Sequence, residues 1–259
     1  QETGDYLSDD LGDGKGINAS AAQSSDNAYS SLEHAWDEAF GYFGAARDYA
    51  DYTDAEISAN SSADGNLRGE GYYDTNGDGL IDLGSEINFA AAVNAAKRDL
   101  GSADTAPTNF TKATFDAFIA GRELITNQPT DYLTALEAQR DIIVNNWEKA
   151  YAATAVHYIN DVLQDMQNFD TDDYSFQDHA KHWSEMKGFA LGLQFNPNAL
   201  ITLANIETIN NDKFGDAPVL STDTTENITA YKVKLREARD ILQTAYSFDD
   251  ANMGDDNAE

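Results

Sequence analysis

Apolar residues recur every three or four positions along most of the chain, the spacing that places side chains on one face of an α-helix. A first helix is predicted from about 21 to 52, where Leu32, Trp36, Phe40 and Phe43 share a face. No segment shows the alternating pattern of a set of strands, so we predict an all-α fold. Further helices are predicted at about 86–100 (with Ser85 as its N-cap), 111–126, 129–169, 175–194, 198–208 and 225–248.

Helical segments of this kind pack as antiparallel bundles. We expect an N-terminal helical unit over 19–128, with a loop insertion at 70–86, and a C-terminal helical unit over 129–247. The Asp- and Gly-rich residues 1–18 predict a flexible acidic lead-in, and residues 248–259 predict an acidic tail.

One short motif occurs twice, as WDEAFG at 36–41 and WSEMKG at 183–188. The repetition predicts that the two helical units are pseudo-repeats, and the alternative is a chance match in a helical chain rich in glycine and alanine. Glycine inside a helix costs about 1 kcal/mol relative to alanine, so a glycine there needs a reason. We expect another helix or a ligand to approach closely at Gly41, Gly44, Gly188 and Gly192.

The loop GYYDTNGDGLIDLGSE, at 71–86, places oxygen donors at two-residue spacing around a glycine. Calcium prefers six to eight hard oxygen ligands, and alternating side chains in a tight loop can turn toward one centre. The alternative is a polar turn that binds no ion. We predict a calcium site whose ligands are the side chains of Asp74, Asn76, Asp78, Asp82 and Glu86 and the backbone carbonyl of Leu80.

This loop resembles the calcium loop of EF-hand and dockerin proteins, with two departures. Position twelve holds Ser85, and the expected acid follows one residue later as Glu86. The preceding stretch, GNLRGEGYY, does not have the pattern of an entering helix. The predicted role of the ion is therefore to fix a long polar loop in place rather than to signal.

Two histidine–glutamate pairs form the second candidate site. His34 lies four residues before Glu38, and His182 lies three before Glu185, so each pair shares a helical face. If the two helices pack together, the four side chains, extended by His179, can bind iron, zinc or copper. The alternative for each pair is an imidazole that is hydrogen-bonded to its neighbouring carboxylate.

Charge and composition exclude several classes of function. Sixteen basic and 46 acidic residues give a net charge of −30, which disfavours nucleic acid and anionic membrane surfaces as partners. The chain has no cysteine, so thiolate metal sites and cysteine nucleophiles are excluded. No apolar run is long enough to cross a membrane. Any export signal or lipid anchor would precede Gln1.

Several segments together resemble the imelysin-like proteins, in particular exported or lipoprotein relatives from Gram-negative, often marine, bacteria. The segments are SLEHAWDEAFGYFGAARDY, WEKAYAATAVHYIND, HAKHWSEMKGFALGLQFNP and AYSFDDAN. The resemblance implies two related helical bundles, a periplasmic or outer-membrane location and a role in iron acquisition. The family hallmark is Gly-x-His-x-x-Glu. His182 and Glu185 match its second half, with Ala180 in place of the glycine, and the region of His34 matches less well.

Three functions remain open at this point. The first is a non-enzymatic envelope protein that binds a metal ion or a metal-bearing ligand, with a structural calcium and an outer-membrane protein as a partner class. The second is a metallopeptidase of the imelysin type, with Glu38 or Glu185 as general base. The third is a surface module that binds a protein or polysaccharide.

Overall fold

A computed structural model of the chain describes residues 6–7, 16–23, 25–58 and 68–254. Most of the predicted lead-in at 1–18 therefore lies outside the described residues. Residues 248–254 of the predicted tail are described, with a 3₁₀ turn at Asp250–Asn252 and a buried Met253. The described part is mostly helical and contains no strand, which confirms the all-α prediction. None of its helices is long and apolar enough to span a bilayer.

Eight α-helices of four or more residues are described, joined by short 3₁₀ turns and loops. They are α1 (Ser31–Phe43), α2 (Asp54–Ile57), α3 (Ala90–Leu100), α4 (Phe110–Asn127), α5 (Tyr132–Gln167), α6 (Phe176–Gly192), α7 (Leu203–Glu207) and α8 (Thr225–Tyr246). A π-helix, Thr208–Phe214, continues directly from α7.

The chain forms two compact units, but their boundary differs from the predicted one. The first unit contains residues 1–101 and 107–150, and the second contains 102–106 and 151–259. The sequence placed the boundary at 128, in the break between α4 and α5. The break does not separate the units, because the first part of α5 packs back on the first unit. Its Trp147 ring, for example, lies 5.5 Å from the Phe43 ring of α1.

The core of the first unit contains more aromatic side chains than the core of the second, which is largely aliphatic. Both cores consist of side chains at helical spacing, as the periodicity predicted. Buried residues of the first unit include Trp36, Phe43, Phe118, Ile125, Leu136 and Ile143. Those of the second include Ile159, Val162, Met186, Ile206, Leu235 and Leu242.

Helix α1 is much shorter than the predicted helix over 21–52. Ser30 accepts the N–H of Glu33, and the Glu33 carboxylate accepts the N–H of Ser30, which is a capping box that fixes the start. Gly44, with φ of 86°, ends the helix in the left-handed conformation. Both signals are local, and the sequence prediction overlooked them because the apolar spacing continues past the glycine.

Helix α3 also begins later than predicted, at Ala90. Ser85 is not its N-cap; its hydroxyl instead donates to the Asp82 carboxylate within the preceding loop. Glu86 likewise belongs to that loop, where its carboxylate accepts backbone N–H groups. Ser85 and Glu86, which predicted the start of a helix, therefore form hydrogen bonds within the loop instead.

The close approaches at glycine lie mainly at positions that the sequence did not single out. Within the described part of the chain, a methyl group added at Gly41, Gly188 or Gly192 would meet no atom within 4 Å, so no helix packs closely there, and the approach of a ligand stays a prediction. At Gly44 it would lie 2.4 Å from the Phe89 carbonyl oxygen, as predicted. The tightest approach is at Gly121 in α4, where the Trp36 ring lies 2.0 Å from the added carbon.

Candidate functional site

The neck of the predicted calcium loop is a short antiparallel pairing. Tyr72 and Ile87 form an isolated β-bridge, and the Tyr73 N–H donates to the Glu86 carbonyl at 3.0 Å. These bonds bring the two ends of the loop together. The twelve residues between Tyr73 and Glu86 therefore form a loop whose two ends are held together.

Asn88 fastens this neck to the segment that follows α1. Its side-chain oxygen accepts the Ala46 N–H at 2.8 Å, and its side-chain amide donates to the Gly71 carbonyl at 3.1 Å. Asn88 is buried, so these hydrogen bonds replace water for groups that would otherwise be unsatisfied. One further backbone bond, from Arg47 N–H to the Ser85 carbonyl at 2.8 Å, joins the same two segments.

Asp74 organises the first half of the loop. One of its carboxylate oxygens accepts the Gly77 N–H at 2.7 Å, and the other accepts the Gly79 N–H at 2.8 Å. Both glycines have positive φ, 73° and 83°, which an L-residue adopts at a cost. The sharp turn at Gly79, position six of the predicted loop, is present as expected.

The next side-chain oxygens of the loop accept backbone N–H groups in the same way, two residues further along the chain. The side-chain oxygen of Asn76 accepts the Asp78 N–H, and that of Asp78 accepts the Leu80 N–H, each at 2.8 Å. Asp82 accepts the Gly84 N–H at 2.9 Å. Each carboxylate or amide is thus held in a defined orientation by the backbone that follows it.

Glu86 is buried and lies inside the loop. One of its carboxylate oxygens accepts both the N–H (2.9 Å) and the hydroxyl (2.6 Å) of Thr75, and the other accepts the Asp82 N–H at 3.0 Å. These donors, the Asp82 N–H foremost, hold the pKa of Glu86 below its ordinary value. The hydroxyl of Ser85 and the N–H of Gly84 likewise lower the pKa of Asp82.

The loop offers carboxylate, amide and backbone carbonyl oxygens, the donor types that calcium prefers. Counting only His, Asp and Glu, no group of three or more in the described residues is arranged to hold a metal ion. A calcium site here would therefore depend on Asn76 and the Leu80 carbonyl as well as on the carboxylates, and the ligand set stays a prediction.

The first histidine pair lies on the surface of α1, in the first unit. His34 Nε2 is 3.5 Å from a Glu38 carboxylate oxygen, and the imidazole side chain is 54% exposed. The Tyr29 ring stacks on the imidazole, with the ring centres 5.3 Å apart. The pairing at four-residue spacing is as the sequence predicted.

The second pair lies in the second unit, where the strongest contacts are with residues that the sequence did not single out. His182 Nδ1 is 2.8 Å from an Asp165 carboxylate oxygen on α5. Glu185 lies 3.9 Å from the Lys181 ammonium. No short spacing in the sequence links Asp165 to His182, because the two residues lie on different helices.

His179 is fully buried, one turn before His182. Its Nδ1 forms a hydrogen bond of 3.1 Å with the Tyr174 hydroxyl, and its ring packs against Phe169. Burial lowers the pKa of His179, with the Asp165 charge opposing the shift. Burial therefore favours the neutral form of this imidazole.

Residues 4–62 match a family described as a domain of unknown function (DUF4856). The matched region contains α1 and α2 but neither the loop at 74–86 nor His182. No curated protein and no solved structure matches the chain. The imelysin-like resemblance therefore stays a prediction, and the site has to be interpreted from its own chemistry.

Proposed function

We propose that this protein binds Ca²⁺ in the loop of residues 74–86, and that the ion fastens this loop to the first helical unit of a non-enzymatic binding protein. The observation that supports the proposal is the sequence of turns at Asp74, Asn76 and Asp78. Each side chain accepts a hydrogen bond from an N–H two to five residues later. The orientation of these oxygen ligands is therefore fixed in the absence of an ion.

The hydrogen bonds within the loop leave capacity for a cation. An ionised carboxylate has about four lone-pair positions, and most of these in Asp74, Asp78 and Asp82 are not used by the N–H donors. The four acidic groups between 74 and 86 also repel one another in a chain of net charge −30. A divalent cation relieves that repulsion, which gives calcium binding a favourable electrostatic contribution.

The remaining roles rest on the imelysin-like resemblance and stay predictions. These are the location in the cell envelope, a function in iron or metal acquisition, and the binding of iron or zinc. His34 and Glu38 belong to the first unit, and His182 and Glu185 to the second. Elemental analysis of the purified protein, before and after chelation, separates calcium alone from calcium with a transition metal.

Calcium titration by calorimetry, together with thermal unfolding in calcium or in chelator, tests the calcium site. Calcium at about one hundred times its dissociation constant is expected to stabilise the folded chain by about 2.7 kcal/mol. Asp78→Asn removes one charged ligand and is expected to weaken calcium binding at least about tenfold. Glu123→Gln removes one charge from an exposed position on α4 and serves as the matched control.

Two results would contradict the proposal. One is a wild-type protein that shows neither heat of binding nor a change in melting temperature with calcium. The other is equal weakening of calcium binding in Asp78→Asn and Glu123→Gln, because that would assign the effect to net charge rather than to the loop.

A further inference from the structure

A groove in the first unit lies between α1, α4 and the end of the 74–86 loop. Its volume is about 480 Å³, within the range of small-molecule sites. Apolar side chains form most of its walls, two arginines line it, and Gly84 and Ser85 contribute one side. The apolar lining residues are Trp36, Phe40, Ala45, Phe115, Phe118 and Ile119.

The aromatic wall is rigid because its rings fix one another. Phe40 meets Phe118 edge to face, with ring centres 5.4 Å apart, and contacts Phe115 at 6.0 Å. Trp36 is buried and donates its indole N–H to the Phe118 carbonyl at 2.9 Å. Ile119, by contrast, is 46% exposed. The groove is thus a preformed apolar surface with an open side.

The charges of the groove are unusual for this chain. Arg47 and Arg122 both line it, although basic residues number only 16 against 46 acidic residues. Arg122 is held in place by Asp37 (3.0 Å) and Glu33 (2.8 Å) through Nε and Nη1. Its Nη2 makes no hydrogen bond with any described residue.

Arg47 is exposed, and within the described part of the chain its guanidinium has no ion-pair partner within 4 Å. Its backbone N–H is bonded to the Ser85 carbonyl, so the start of the side chain is fixed beside the groove. Among the described residues, Asp37 is the only one with a carboxylate that lines the groove, and it is already paired with Arg122. The Arg47 guanidinium interacts at longer range with the Asp82 carboxylate of the loop, and no close ion pair keeps it from a ligand in the apolar cavity.

We propose that this groove binds a small organic carboxylate with an apolar body. The aromatic wall takes the apolar body, and Arg47, with the free edge of Arg122, pairs with the carboxylate. A polyanion such as a nucleotide is disfavoured because the net charge of −30 repels it. A single carboxylate is repelled least and still matches the guanidinium. The proposal does not depend on calcium binding.

Phenylpropionate is a suitable probe, and phenylpropanol is its uncharged counterpart of nearly the same size. We expect phenylpropionate to bind at least about tenfold more tightly than phenylpropanol in saturation-transfer NMR and calorimetry, because only the carboxylate pairs with an arginine. Arg47→Gln is expected to reduce that difference severalfold, since only Arg122 then remains to pair with the carboxylate. Lys97→Gln, which removes one positive charge from an exposed position on α3, is expected to leave it unchanged.

Ile119→Trp serves as a second variant that alters the groove without altering charge. Since Ile119 is half-exposed, the larger side chain is expected to leave folding intact and to weaken the binding of both probes. The proposal is overturned if the two probes bind equally, if Arg47→Gln keeps the full preference, or if Ile119→Trp binds phenylpropionate as wild type does. Measurements in both calcium and chelator keep this result separate from that of the calcium loop.

Discussion

Gly121→Ala gives the sharpest test of how the first unit is packed. Helix propensity alone predicts that alanine at this position stabilises α4 by about 1 kcal/mol. The structure predicts the opposite sign. The added carbon would lie 2.0, 2.6 and 2.7 Å from three atoms of the Trp36 ring, distances that no real contact allows. The ring is 1% exposed and packs edge to face on Phe118, so it cannot move away from the added carbon without disturbing that contact.

The magnitude follows from three contributions. Overpacking of a filled core costs about 1–3 kcal/mol, and distances this short point to the upper end, about 3 kcal/mol. Displacing the indole also weakens its hydrogen bond to the Phe118 carbonyl, a further loss of about 1 kcal/mol. Subtracting the gain in helix propensity leaves a net destabilisation of about 3 kcal/mol for Gly121→Ala.

Urea unfolding, followed by tryptophan fluorescence and circular dichroism, measures this change. Gly41→Ala in α1 is the matched control, because among the described residues no atom lies within 4 Å of the added methyl group. It is expected to stabilise the unit by up to about 1 kcal/mol. If Gly121→Ala unfolded at the same or a higher urea concentration than wild type while Gly41→Ala behaved as expected, the packing of Trp36 on Gly121 would be refuted.

Three further predictions concern the ends of α1 and the loop. Gly44→Ala should destabilise the protein more than Gly79→Ala, both measured in chelator. Alanine at either position has to adopt a positive φ, which costs about 1–2 kcal/mol. Only at Gly44 does the added methyl group also meet a carbonyl oxygen, at 2.4 Å. Equal melting temperatures would contradict this. Ser30→Ala should lower the free energy of unfolding in urea by about 1 kcal/mol. Thr53→Ala removes the same type of cap from a four-residue helix and should lower it by less. The reverse order would be inconsistent with these caps. Finally, the lowered pKa of Glu86 contributes stability that is complete above the ordinary glutamate pKa and is lost as the pH falls below about 4. Hydrogen exchange in the loop should therefore accelerate on acidification in wild type and change less in Glu86→Gln, and an identical pH dependence in the two proteins would show that Glu86 does not hold the loop.

The sequence predicted the long helices well because their signal is local. Helices α4, α5 and α6 lie within three residues of the predicted bounds, and α8 begins at Thr225 as predicted. The turns around Asp74 were also accessible, since each hydrogen bond there joins residues two to five positions apart. Apolar spacing is sufficient to predict such helices, and hydrogen-bonding residues a few positions apart are sufficient to predict such turns.

Other features depend on contacts between distant residues, which no local pattern records. Asp99, at the end of α3, accepts the N–H groups of Phe110 and Thr111 and so caps α4 from another helix. Asp165 reaches His182 across seventeen positions. The motif that begins with Trp36 suggested a close approach at Gly41, but the indole lies against Gly121 instead.

What the sequence by itself determined is therefore the all-α class, the placement of the longer helices and the local geometry of an acidic loop. The tertiary structure alone decided that the loop is fastened to the start of the first unit through Asn88, and that two arginines line one aromatic groove. The physical reason is the distance along the chain over which each interaction acts. Helix periodicity and side-chain turns act over a few residues, whereas burial, ring packing and ion pairs join residues that only the folded chain brings together.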